Sequence, residues 1–322
     1  MTTIHILDGG LGTSLEDKYG VKFTHASTPL WSSHLLVADP ATLAACQRDF
    51  AAAGADVLLT ATYQASTEAF QRTQTAEFPH GIPQEAVGRY LRTAVDVAEA
   101  AARGARAECG NGGGPVVDLA LGLGPYGAAM VPGQEFSGRY DAAHDGEEAL
   151  FRWHLDRLRL FTAVPGLVER VRYLAFETLP RLDEVRAVRR SIRAAGIEKE
   201  FWVSCVFRPD DGRLPDGSTA QEVVEAMLGQ LEDAADPWGI GINCTKLHQL
   251  PALIQRFEEK VEGFPSVPTL VLYPDGTNGE VYNTTTQVWE LPADRDADAA
   301  QTPWATQLAN TVKEVQDRVD QD

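Results

Sequence analysis

An α/β fold of repeated β/α units around a parallel sheet is what this sequence predicts, on three observations. Short apolar runs rich in β-branched residues alternate with amphipathic stretches of helical length. Most of these runs are apolar almost throughout, as strands covered on both faces should be. Polar residues gather at the C-terminal ends of the runs.

Seven runs read as strands: IHILDGG from Ile4, DVLLTATY from Asp56, VVDLALGLGP from Val116, RYLAFETLP from Arg172, FWVSCVF from Phe201, GIGINCT from Gly239 and TLVLYPD from Thr269. Helices are expected over 41–53, 84–103, 146–161, 182–195, 220–233, 250–261 and 303–319. In the fourth of these, Leu182, Val185, Val188 and Ile192 form one apolar stripe among charged neighbours. Pro180 before it and Gly196 after it supply a start and a stop. The stretches 64–83 and 126–145 read as elaborated strand-to-helix loops. No linker or composition shift divides the chain, so residues 1–322 are expected to form a single domain.

Composition narrows the partners. The 322 residues carry 28 basic and 46 acidic side chains, a formal charge of −18. With no basic cluster, neither a nucleic acid nor an anionic membrane surface is an expected partner. The opening MTTIHILDGG has no targeting character, and no run reaches the roughly 18 apolar residues of a membrane span. A cytoplasmic protein is therefore expected. Cys46, Cys109, Cys205 and Cys244 are far apart and form no CxxC pair, which suits reduced thiols.

The polar strand ends carry the functional reading. Asp8, Thr60 with Thr62 and Tyr63, Glu177 with Thr178, Asn243 with Cys244, and Tyr273 with Asp275 all fall where a β/α barrel builds its active-site mouth. Asp8 precedes Gly9 and Gly10, a pair that serves a tight turn or lets backbone approach a ligand. Glu177 is either paired within the structure or free to take a cationic group, and with Asp8 it could grip an ammonium. Cys244 is either a small apolar residue or a zinc ligand, although one thiolate is not a zinc site.

Six motifs in order, ILDGGLGTSLE, TATYQAS, GPYGAAMVPGQEFSGRYD, FETLP, GINCT and YPDGTNGEVYN, resemble the homocysteine S-methyltransferases, from residue 4 to about residue 305. More narrowly they resemble the S-methylmethionine:homocysteine methyltransferase branch. The resemblance implies a (β/α)8 barrel of the TIM type. It also implies zinc, and methyl transfer from S-methylmethionine or S-adenosylmethionine to the homocysteine thiol, giving methionine. By the same resemblance Asp8 and Glu177 hold the amino end of homocysteine, Asn243 orients the site and Cys244 is a zinc thiolate. Tyr63 and Tyr126 lie in family motifs near the mouth, where a ring face could accept a sulfonium.

The family's other two zinc ligands come from a GGCC motif on an eighth strand, and no cysteine follows Cys244 here. The barrel is therefore expected to lack its eighth strand and to be C-terminally incomplete, with zinc binding weakened. His248, four residues beyond Cys244, and Cys205 on the neighbouring strand are the candidate replacement ligands. The plainer readings are a polar residue starting a helix for His248 and core packing for Cys205. His154 is expected to be a surface or packing residue of its helix rather than a base. Three functions remain open: a methyltransferase by descent whose C-terminus is truncated or altered, a homologue that binds an amino acid or sulfonium without turnover, and a metal-free barrel enzyme using Asp8 and Glu177.

Overall fold

The computed structural model describes residues 3–24, 28–108, 116–276, 281–283, 288–290 and 302–320. Cys109 and the Thr277–Glu280 part of the last motif lie outside the described residues. In chain order the elements are α1 (Leu11–Tyr19), α2 (Leu35–Ala38), α3 (Pro40–Ala52), β1 (Val57–Leu59), α4 (Thr67–Arg72), α5 (Gln84–Glu108), β2 (Asp118–Leu123) and α6 (Tyr126–Ala129). They continue with α7 (Glu147–Thr162), β3 (Tyr173–Leu179), α8 (Leu182–Ala194), β4 (Glu200–Cys205), α9 (Ala220–Leu228), β5 (Gly239–Lys246), α10 (Leu250–Val261) and β6 (Thr269–Asp275). The hairpin strands β7 (Val281–Asn283) and β8 (Val288–Glu290) and the helix α11 (Trp304–Val319) complete the order.

Strands β1 to β6 form one parallel sheet in sequence order. Each pair is joined by helical connections, the wiring of a β/α barrel. Side chains alternate cleanly across the sheet. Leu58, Leu119, Leu121, Leu174, Phe176, Phe201, Val203, Ile240 and Ile242 belong to the large core under the helices. The opposite face carries Val57, Ala120, Tyr173, Ala175, Trp202 and Val271, a second cluster lining the interior. Both faces are covered, which is why the runs read as apolar throughout.

One expected strand does not form. The run from Ile4 makes a single parallel bridge, Leu7 to Val57, and Asp8 donates its amide to the Val57 carbonyl at 3.0 Å. Ile4 and Ile6 remain 50% and 58% exposed. With no strand among the described residues on their far side, these residues gain too little burial to extend the ladder. Six sheet strands and one bridge thus replace the seven strands expected. Among the described residues no strand pairs with the outer edge of β6, so the sheet is a partial barrel. The β7–β8 hairpin is antiparallel and was not signalled by periodicity.

The helices match the expected periodicity, with two shifted ends. In α8, Val185, Val188 and Ile192 are fully buried and Gly196 takes the left-handed conformation just past the helix. The helix expected to reach residue 233 stops at Leu228, because Gly229 turns extended at φ −60°, ψ 157°. The carbonyls of Ala226 and Gly229 are taken instead by buried Arg189, at 2.8 and 3.0 Å. The helix expected to end at residue 103 continues to Glu108. Helix α11 is tied to the sheet by Trp304 Nε1, which donates to the Asp275 carbonyl at 2.9 Å, and to α10 by the Arg318–Glu258 ion pair.

The upper ends of β1 and β2 are joined by one side chain. Arg157 of α7, 4% exposed, donates to the carbonyls of Ala65, Gly124, Thr62 and Tyr63 at 2.8, 2.6, 3.1 and 2.6 Å. Its guanidinium also lies over the ring of Trp153. A lysine cannot reproduce this planar fork. Arg157→Lys is expected to cost about 3 kcal/mol or more in urea unfolding, since several buried carbonyls lose their donor.

Candidate functional site

Five segments of the chain meet at the C-terminal ends of the sheet strands. Glu177 follows Tyr173 and Ala175 on the interior face of β3, and Asn243 follows the side-chain-free Gly239 and Gly241 on β5. Tyr273 and Asp275 occupy the same face of β6. Asp8 enters from the N-terminal segment, where its carboxylate accepts the Leu59 amide at 2.8 Å. Tyr63 stands on the loop after β1, its ring against Gly124, where a Cβ would lie 2.8 Å from the ring.

Two irregular strand ends build the centre. The β3–β4 register shifts between Phe176 and Leu179, and the β5–β6 register shifts between Asn243 and Lys246. Each shift contains a residue in the left-handed region, Thr178 at φ 61° and Cys244 at φ 49°. For a β-branched threonine that is a strained conformation, of the kind that persists where surrounding structure enforces it. Asn243 supplies the enforcement. Its Oδ1 accepts the Thr178 amide at 2.8 Å, and its Nδ2 donates to Thr178 Oγ1 at 2.7 Å and to Cys244 Sγ at 3.3 Å. The Thr178 hydroxyl also reaches the Cys244 sulfur at 3.6 Å.

The electrostatics are dominated by enclosed carboxyl groups. Glu177 is 9% exposed, and no described side chain or amide donates to its carboxylate. Gly122 makes space for it, since a Cβ there would sit 3.0 Å from Oε1. Burial first, then the Asp8 charge, pushes Glu177 up to about 8, against a smaller opposing pull from Arg157. Burial likewise raises Asp8 to about 8, in spite of its bond from Leu59. Arg157, lowered by burial to about 10, keeps its charge at neutral pH, but its hydrogen bonds are committed to carbonyls. Both acids of the mouth are therefore largely protonated at neutral pH, and a cation placed between them would favour their charged forms.

Cys244 stands in this acidic setting without metal-binding company. The residue is exposed at the mouth; desolvation of its sulfur, with added repulsion from Glu177 and Asp275, raises the thiol, and hydrogen bonds from Thr178 and Asn243 oppose this. Among the described residues no group of three or more His, Cys, Asp or Glu side chains is placed to hold a metal ion. His248 is exposed on a short turn before α10, and Cys205 is fully buried in the large core. Neither completes a set with Cys244. A zinc site built on thiolates does not fit the residues described.

Other singled-out residues have structural employment. Tyr126 donates from its hydroxyl to Asp141, stacks on His144 at 4.1 Å and meets Tyr140 and Trp153 edge-on, so it belongs to the wall beneath the 126–145 loop. It is not brought into contact with the Glu177–Cys244 group. His154 is fully buried rather than on the surface, paired to Glu184 at 2.9 Å. Glu184 also accepts the Tyr126 amide at 2.6 Å and the Tyr140 hydroxyl at 2.5 Å, which pins the loop to α7 and α8. Thr60 and Thr62 bond each other and the backbone of Gly122. Asp275 pairs with Lys246 at 2.5 Å.

Sequence reasoning passed over Glu135, whose carboxyl is enclosed beside Tyr63 and raised by burial to about 7. Its only signal was membership of a motif. It also passed over the structural charge of Arg157, which reads as one more polar residue of an amphipathic helix.

A carboxyl that binds its proton more tightly when folded loses stability for the fold as pH rises, here from 4.5 towards 8 for Glu177. Glu177→Gln removes that loss. The variant is expected to melt several degrees above wild type at pH 8 and close to wild type at pH 5, as read by thermal unfolding.

Comparison with known proteins accords with this geometry. The homocysteine S-methyltransferase family model matches residues 5–312. The chain is 30% identical to homocysteine S-methyltransferase YbgG of Bacillus subtilis over 88% of this chain and 80% of that protein. It is 31% identical to the betaine-homocysteine S-methyltransferase of Drosophila melanogaster, over 81% and 75% of the two chains. Among solved structures, the metallated homocysteine methyltransferase MmuM of Escherichia coli superposes with a TM-score of 0.67 at 27% identity, covering 86% of this chain and 85% of that one. By the span of that match and the level of these identities, the chain belongs to the homocysteine S-methyltransferase family.

Proposed function

We propose that this chain binds homocysteine at the mouth of its partial barrel and is a methyltransferase that takes the methyl group from a cationic donor, S-methylmethionine or S-adenosylmethionine, to give methionine. The observation that carries the reading is the enclosed carboxyl of Glu177, without a hydrogen-bond donor among the described residues and close enough to Asp8 to feel its charge. A ligand ammonium between them supplies both the missing charge and the missing donors. Asn243 holds Thr178 and Cys244 in place around the thiol end of the ligand. In the transfer, the homocysteine sulfur gives its proton to solvent water and bonds to the methyl carbon. The donor's S–CH3 bond breaks, and its electron pair remains on a now neutral thioether.

A second reading, binding without turnover, rests on one observation. Cys244 has no companion ligands among the described residues. Nothing described offers the homocysteine thiol the activation that a thiolate-bound zinc provides in the family.

Calorimetry and a methylation assay on the same preparation separate the readings. Wild type is expected to bind homocysteine, and Glu177→Gln to weaken it about tenfold or more. Methionine formed from homocysteine and S-methylmethionine favours the enzyme, and binding with no product favours the second reading. Elemental analysis is expected to find substoichiometric zinc; stoichiometric zinc that disappears in Cys244→Ser would overturn the account of the metal.

A further inference from the structure

Glu184 lies in the first turn of α8 and is fully buried. Its Oε1 accepts the Tyr126 amide at 2.6 Å and His154 Nε2 at 2.9 Å, and its Oε2 accepts the Tyr140 hydroxyl at 2.5 Å. Tyr126 and Tyr140 stand on either side of a fold-back in the 126–145 loop. Within it Gln134 donates its amide to the Gly127 carbonyl at 2.9 Å, and Gly138 donates to the Gln134 carbonyl at 2.8 Å. Gly127 is pressed into the fold, where a Cβ would fall 2.7 Å from the Gln134 carbonyl carbon and 2.8 Å from Tyr140 Cε1. One carboxylate thus clasps the loop at both ends.

The clasped loop is a wall of the mouth. It leaves the sheet at Gly124, which lies against the Tyr63 ring, and crosses the corner between β3 and α8. There Gly138, left-handed at φ 63°, packs on Pro180, and its carbonyl accepts Arg181 Nη1 at 3.2 Å. Pro180 is three residues past Glu177.

His154 is the conditional member of the clasp. A carboxylate only accepts, so Nε2 carries the ring proton, and the buried Nδ1 has no hydrogen-bond partner among the described residues. A second proton would place a buried N–H where it meets no acceptor. The polar and charged groups around the pair are Tyr126 and Tyr140 from the loop, Arg157 from α7 and Cys205 from β4, while β3 presents the Phe176 ring. None of them is bonded to Nδ1.

We infer that Glu184 is the positioning residue of this wall: it holds the 126–145 loop in the shape that meets substrate, and its hold weakens when His154 takes a second proton. That the substrate is homocysteine rests on the function proposed above. Burial keeps the imidazole below its ordinary value of 6.5, against an opposing pull from Glu184. The clasped form therefore binds fewer protons than an opened one, so the hold is full above about pH 6.5 and fades as pH falls below it.

The test is hydrogen exchange of the Tyr126, Gln134 and Gly138 amides, with β3 amides as the internal control, and homocysteine calorimetry on the same preparations. In wild type, loop protection is expected to fall about tenfold between about pH 7.5 and 5.5 while β3 keeps its protection. H154Q, which offers Glu184 an N–H that does not titrate, is expected to abolish that fall. Tyr140→Phe, which removes one donor to the carboxylate, is expected to lower loop protection about tenfold at both pH values and to weaken homocysteine about fivefold at the higher one. An acid loss that persists in a folded H154Q overturns the role of His154. Tyr140→Phe with a loosened loop and unchanged homocysteine affinity overturns the positioning role, as does equal loss of protection in β3, which would make the clasp a matter of global stability. A wild type that binds no homocysteine, yet whose loop responds to acid and to both variants as expected, would sink the proposed function and support the clasp.

Discussion

The mouth depends on a buried positive charge that faces main-chain oxygen rather than a carboxylate. Arg157 gathers the carbonyls after β1 and β2 into one fan, and no neutral side chain could satisfy all of them. Because it neutralises none of the nearby acids by contact, it leaves Glu177 and Asp8 without an ion pair. The same residue therefore organises the loop that carries Tyr63 and tempers the carboxylates it does not touch. Had an acid of the site paired with Arg157, the cationic ligand proposed above would have met a charge already neutralised from within.

Rigidity at the opposite side of the mouth comes from a different device. Thr178 and Cys244 hold conformations that neither would choose, and Asn243 binds the two together across the intervening strand β4. All three hydrogen bonds of its amide are spent in this way. A loop would allow the two strand ends to drift, whereas bulges locked by a buried amide keep them at one separation. Strain of this kind is compensated by the fully packed leucine and phenylalanine layer behind the sheet.

How much of this was legible depends on whether a residue's role follows from a periodic pattern. The runs ending in Glu177, Asn243 and Tyr273 could be read because alternation on a covered strand puts every second residue inward, and the strand ends share one mouth. The α8 stripe of Val185, Val188 and Ile192 was equally open to reading. The run from Ile4 misled, because an apolar alternation says nothing about whether a neighbour exists on its outer side. Glu135 was invisible for another reason: its position is set by a fold-back through Gly127 and Gln134 that has no period. Tyr126 shared a motif with the site, yet its hydroxyl and ring faces are taken up by Asp141, His144, Tyr140 and Trp153, contacts that sequence spacing does not reveal. The left-handed Thr178 and Cys244 carried no signal either, since neither is a residue type that favours that region.

Asp8 reaches the site on a segment attached to the sheet through one bridge and a few main-chain bonds, while Glu177 sits in the middle of it. A molecule gripped by both is thus also a crosslink between the least supported part of the chain and the best supported. Part of its binding free energy would go into holding residues 3–8 in place, and any loosening of those residues would be felt as lost affinity. Occupancy of the mouth and attachment of the amino-terminal segment are, in that sense, one equilibrium observed from two ends.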